Sequence, residues 1–96
     1  MTTQIISYDL RQPGRNYEPL YEAIQALGSW WHCLESVWIV DTSLSATGVR
    51  NTLGDHIDSN DKLLVCELTG TWATRGITDE CTTWLAEHVS RTRAAR

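Results

Sequence analysis

Asp9 closes an apolar, β-rich run, Ile5-Ile6-Ser7-Tyr8-Asp9-Leu10, just before the loop Arg11-Gln12-Pro13-Gly14-Arg15. A carboxylate flanked by two guanidinium groups can hold a divalent cation against a phosphate. A hard cation such as Mg²⁺ (or Mn²⁺) takes oxygen ligands, commonly one or two carboxylates, with waters and phosphate oxygens filling the rest. Such a metal activates water and stabilises phosphoryl oxygens. Arg11 and Arg15 suit bidentate binding of phosphate. Ser7 shares the strand face of Asp9, since strand side chains alternate. The competing reading makes Asp9 a strand-end carboxylate that caps the loop or pairs with Arg11 or Arg15. The two arginines are then solvated loop residues.

His32 is a candidate general acid or base, because imidazole titrates near neutrality. Its alternative is a structural ring held by a hydrogen bond. His32-Cys33 is no zinc motif: adjacent strand residues point to opposite faces, and no second Cys/His pair has ligand spacing. Trp30-Trp31 has the ring surface to stack on bases, but that mode also needs a basic groove. Both tryptophans read instead as packing between the first helix and the sheet, or as a dimer contact. Asp55, Asp58 and Asp61 lack the alternating oxygens, glycine and distal glutamate of a calcium loop, and read as a solvated turn.

The elements that position these residues follow from periodicity. The first strand covers about residues 3–10. Asn16 is a good N-cap for a helix whose Tyr17, Leu20, Tyr21, Ile24 and Leu27 recur at helical spacing. Pro19 is tolerated in the first turn, and Gly28 reads as the C′ residue. Residues 31–42 read as strand and are long for one. A split near Glu35-Ser36 gives two strands; a single bent strand is the alternative. Ser43 or Ser45 caps a second helix that buries Ala46, Val49, Leu53 and Ile57. Lys62 to Thr69 is the last strand. Its Leu63 and Val65 face one way and its Leu64, Cys66 and Leu68 the other, so both faces must be covered. Helices on one side and a partner subunit on the other would do that. After a loop holding Trp72, Thr78 caps a final helix with a stripe of Cys81, Trp84, Leu85 and Val89.

The expected fold is therefore α+β: a ferredoxin-like βαββαβ sandwich with an extra C-terminal helix. One domain covers residues 1–90, and an arginine-rich tail, 91–96, is expected to fray. The chain of 96 residues carries a net charge of −4. Removing Arg91, Arg93 and Arg96 leaves five basic against twelve acidic groups, a body charge of −7. That argues against non-specific nucleic-acid binding. Cys33, Cys66 and Cys81 are odd in number, widely spaced and set among apolar neighbours. They read as buried free thiols, which suits a reducing cytoplasm. No apolar run reaches the roughly 18–20 residues of a membrane span. The N-terminus runs straight into a strand with no visible signal peptide.

Three segments carry a resemblance. Tyr8-Asp9 at the first strand's end, Leu34-Glu35-Ser36-Val37-Trp38 in the strand pair, and Asp58-Ser59-Asn60-Asp61-Lys62-Leu63-Leu64-Val65 before and in the last strand resemble CRISPR-associated protein 2 and its relatives, which include the virulence-associated protein D ribonucleases. The likeness covers about residues 3–69. More closely, Gly28-Ser29-Trp30-Trp31-His32-Cys33-Leu34-Glu35-Ser36 and Asp58-Ser59-Asn60-Asp61-Lys62-Leu63 are similar to small bacterial proteins labelled SinR-like. That label suggests a regulator, but the chain has no helix-turn-helix pattern. The resemblance implies a homodimer formed through the sheets, in which Asp9 of both subunits holds Mg²⁺ near the dimer axis. The implied activity is a divalent-metal-dependent nuclease, an endoribonuclease or deoxyribonuclease hydrolysing RNA or DNA. Other members are non-catalytic scaffolds that hold duplex DNA beside an integrase, and the acidic body departs from those. The alternative function is a non-catalytic dimeric scaffold or interaction module in a defence or mobile-element system.

Overall fold

The computed structural model describes residues 1–11, 14 and 16–89. Arg15 and the tail at 91–96 lie outside the described residues, so the phosphate-binding expectation for Arg15 and the fraying expected of the tail receive no structural account. The elements run β1 (Thr2–Asp9), α1 (Glu18–Gln25), β2 (Ser29–Leu34), β3 (Val37–Thr42), α2 (Ala46–Gly54), β4 (Lys62–Glu67) and α3 (Asp79–His88). The four strands form one sheet in the order β2-β3-β1-β4, with every neighbouring pair antiparallel. The chain is thus a mixed α+β fold with a four-stranded antiparallel sheet and three helices among the described residues. No described helix is long and apolar enough to cross a membrane.

The strand pair expected over 31–42 divides at Glu35-Ser36, as the split reading required, and begins two residues earlier, at Ser29. The β2–β3 register shifts between Trp31 and Leu34, a bulge that accommodates the tight turn. Tyr17, not Asn16, is the N-cap of α1, and it makes no side-chain capping bond. Asn16 lies one residue earlier, where its Oδ1 accepts the Glu18 N–H at 3.0 Å, and Pro19 sits in the first turn. Ser45 rather than Ser43 caps α2, accepting the Gly48 N–H, and Thr78 caps α3, accepting the Cys81 N–H. Ile57 lies beyond the end of α2, not on it, although its side chain still packs against the core.

Strand alternation divides the sheet into two apolar faces. On one, α1 and α2 bury Ile6, Leu20, Ile24, Trp38, Val40, Val49 and Leu53, with Leu63 and Val65 of β4 packed against them. On the other, α3 and the segment before it bury Trp31, Ile39, Leu85 and Val89, with Ile5, Leu68 and Trp72 alongside. Trp30 and Trp31 therefore separate. Trp31 is buried under α3, while Trp30 stays 45% exposed on the α1 side, 5.4 Å from the Trp38 ring.

The cysteines correct the free-thiol expectation. Cys33 of β2 and Cys81 of α3 are joined in a disulfide, their Cα atoms 6.6 Å apart and 48 residues distant in sequence. Cys66 is free but exposed, not buried. Sequence spacing missed the bridge because β2 and α3 meet only in three dimensions. In the chain-entropy account, closing a loop of that length stabilises the fold by ~4 kcal/mol. The bridge also removes the ground on which a reducing cytoplasm was expected, since such bonds persist in oxidising compartments.

Gly28 also has a different job from helix termination. It lies at the entry to β2 with φ 155°, and an added Cβ would collide with the Asp41 carbonyl on β3. Gly28→Ala is expected to destabilise the protein by about 2–3 kcal/mol, through backbone strain and overpacking. Urea denaturation of the variant beside the wild type measures this.

Candidate functional site

Asp9 is the last residue of β1 and lies opposite Lys62, the first residue of β4. Its carboxylate is engaged: Arg11 Nη1 donates to Asp9 Oδ2 at 2.9 Å, with the Arg11 side chain 54% and the Asp9 side chain 56% exposed. The pairing anticipated as the alternative to metal binding is thus present. Beside it is an open depression of ≈ 220 Å³ lined by Ser7, Tyr8, Asp9, Lys62, Leu63 and Leu64.

The corner is held by a residue that sequence reasoning assigned to a solvated turn. Asp61 Oδ1 accepts the Arg11 backbone N–H at 2.7 Å, and its Oδ2 accepts the Asp58 N–H at 2.8 Å. The Tyr17 hydroxyl lies 2.9 Å from both oxygens and donates to the carboxylate. One half-buried side chain thus ties the loop after β1, the entry to α1 and the turn before β4 together. Charge-assisted bonds of this kind exceed neutral ones in strength. Asp58 and Asp61, three apart before a strand, were a turn signal in the sequence; the partners at Arg11 and Tyr17 were not legible there.

His32 belongs to a different place. Its ring stacks on Trp38 with centroids 3.7 Å apart and 13° between planes, and its Nε2 lies 3.1 Å from the Glu35 carbonyl. Trp38 is on the α1 side of the sheet, whereas Asp9, two residues after Ser7, faces the α3 side by alternation. The structure therefore does not bring His32 to Asp9, and its contacts are those of a ring held in place.

The same aromatic group includes Tyr8. Trp38 Nε1 donates to the Tyr8 hydroxyl at 3.0 Å, and Tyr8 in turn donates to the Glu35 carbonyl at 3.4 Å. The Tyr21 ring lies 6.3 Å from Tyr8 and 6.1 Å from Trp38. Burial pushes the Tyr8 phenol above its ordinary value of 10.0; the Trp38 N–H works against that rise and Tyr21 adds to it.

Within one chain the Asp9 corner offers one carboxylate, paired to a guanidinium, and among the described residues no group of three or more His, Cys, Asp or Glu is placed to hold an ion. Mg²⁺ held there by one carboxylate would take its other ligands from water and phosphate, and a second copy's Asp9 would add a second carboxylate.

Two outcomes are expected from these contacts. Asp61→Ala should lower stability by about 1–3 kcal/mol by removing the acceptor of one exposed and two part-buried donors, whereas Asp9→Ala should cost under about 1 kcal/mol, as exposed ion pairs do. Chemical denaturation of both variants decides the ranking. A raised folded-state pKa means that Tyr8 contributes stability in full below its unfolded value of 10.0 and loses it as pH rises through the folded value. Thermal melts above pH 10 should therefore fall more steeply for the wild type than for Tyr8→Phe. No protein-family model matches the chain, and no solved structure matches it at a significant level.

Proposed function

We propose that the protein is a homodimeric, non-catalytic interaction module of ferredoxin-like fold, and that two copies pair through the uncovered corner of the sheet. The observation that carries this reading is Leu64: it lies within β4 on the α3 side, yet is 60% exposed. Around it the surface offers small side chains at Ser7 and Cys66. Opposite charges stand at Asp9 and Lys62, a set that can complement itself across a two-fold axis. A second copy as occupant also agrees with the resemblance to CRISPR-associated protein 2, whose members dimerise through their sheets. The strand order β2-β3-β1-β4, with a helix between β1 and β2 and another between β3 and β4, supports the ferredoxin-like name. A fold alone implies no activity. The net charge of −4 supports a protein partner over duplex DNA.

One observation favours a second reading, the divalent-metal-dependent nuclease. Asp9 borders the same uncovered corner, beside the ≈ 220 Å³ depression. Pairing through that corner would set two Asp9 carboxylates near the axis, where Mg²⁺ or Mn²⁺ has the second carboxylate a single chain lacks. RNA or DNA would then be the substrate, with Arg11 on its phosphate.

One set of samples separates the readings. Light scattering is expected to give a dimer for the wild type and a monomer for Leu64→Arg; a monomeric wild type at high micromolar concentration overturns the pairing. The wild type and Asp9→Asn are also incubated with labelled RNA and DNA, with and without Mg²⁺ or Mn²⁺. No cleavage, or equal cleavage by both, is the outcome expected of the interaction module. Metal-dependent cleavage lost in Asp9→Asn establishes the nuclease.

A further inference from the structure

We propose that the Cys33–Cys81 disulfide is a redox latch that decides whether α3 stays docked on the sheet. The cover over this face is slight. α3 is a single helix of ten residues, reached through a segment without regular structure, and its own buried side chain is Leu85, followed by Val89 at its end. Cys81 and Trp84 pack against the same cluster part-buried, and three single hydrogen bonds join α3 to the sheet: Trp31 Nε1 to the Cys81 carbonyl at 3.0 Å, Trp84 Nε1 to Ser29 Oγ at 3.1 Å, and Thr3 Oγ1 to the His88 carbonyl at 3.0 Å. The Trp84–Ser29 bond is exposed, where water competes as a partner, and the other two are part-buried. The disulfide is the only covalent tie among the described residues between α3 and the sheet other than the chain itself.

Both half-cystines are half-buried rather than enclosed, so a thiolate can approach the bridge. The reductant is a dithiol. One of its thiolates attacks a bridge sulfur, forming a mixed disulfide and releasing the other cysteine as a thiolate that takes up a proton. The second thiolate of the reductant then displaces the remaining protein sulfur, which is protonated in turn. Two electrons pass from the dithiol to the protein: the reductant leaves as a disulfide, and Cys33 and Cys81 remain as thiols.

Release of α3 would bare a row that crosses the sheet from Trp31 through Ile39 to Ile5, in register with Cys66 on β4. That row adjoins Leu64, so reduction joins the covered and uncovered parts of the face into one apolar surface. The latch concerns a single chain and stands whether or not the protein dimerises.

Hydrogen exchange of the full-length protein, followed by mass spectrometry with and without dithiothreitol, tests it. The expected result is exchange at least tenfold faster in α3 on reduction, with β1 and β3 protected as before. The Cys33→Ser/Cys81→Ser double variant should show the fast α3 exchange whether or not reductant is added. Unchanged α3 protection in the reduced wild type overturns the latch. So does loss of protection throughout the sheet, which would make the bridge a support of the whole fold. The wild-type comparison remains decisive if the double variant does not fold.

Discussion

The sheet has apolar side chains on both faces, and the chain must keep both from water. This requirement shapes the rest of the molecule. Two helices follow β1 and β3 directly and bury one face around Ile6, Trp38 and Val40. The other face depends on a helix that arrives only after the last strand. α3 settles over the β2 side, where Trp31 and Ile39 meet Leu85 and Val89 and where Cys33 reaches Cys81. The helix packs against β2 rather than across all four strands. The β4 side is left uncovered, and Leu64 and Cys66 face outward there.

Trp38 organises the better-covered face. Its indole N–H must find an acceptor once buried, and the Tyr8 hydroxyl supplies one. Its ring then receives His32 on one flank and lies near Tyr21 and Trp30. This arrangement helps a chain without phenylalanine to build a core: Trp and Tyr supply ring area, and the polar tips of Trp38, Tyr8 and Trp31 are bonded to neighbours. It also accounts for His32, whose place on Trp38 is set by stacking.

The two aspartates at the other corner divide their duties by environment. Asp9 points to water and holds an exposed guanidinium, a pairing worth little in a high dielectric. Asp61 is half-buried and gathers donors from three segments of the chain, so the loop after β1 and the turn before β4 are positioned together. The corner's geometry therefore rests on Asp61, while Asp9, paired with Arg11, lines the rim of the depression.

Most local structure was legible in the amino-acid order, because capping, turn formation and alternation act over a few residues. The break at Glu35-Ser36, the Ser45 and Thr78 caps, and the opposite facing of Leu63 and Leu64 all belong to that class. Gly28, Asp61 and the cysteines were misread from sequence for one shared reason. Each is explained by partners distant in the chain: the Asp41 carbonyl for Gly28, Arg11 and Tyr17 for Asp61, and Cys81 for Cys33. Hydrophobic periodicity declares that a face must be buried but not by what. The sequence by itself thus determined the elements and the need to cover both sides of β4. Only the packing of α3 over β2 decided which side of the sheet closed and which remained open beside Asp9.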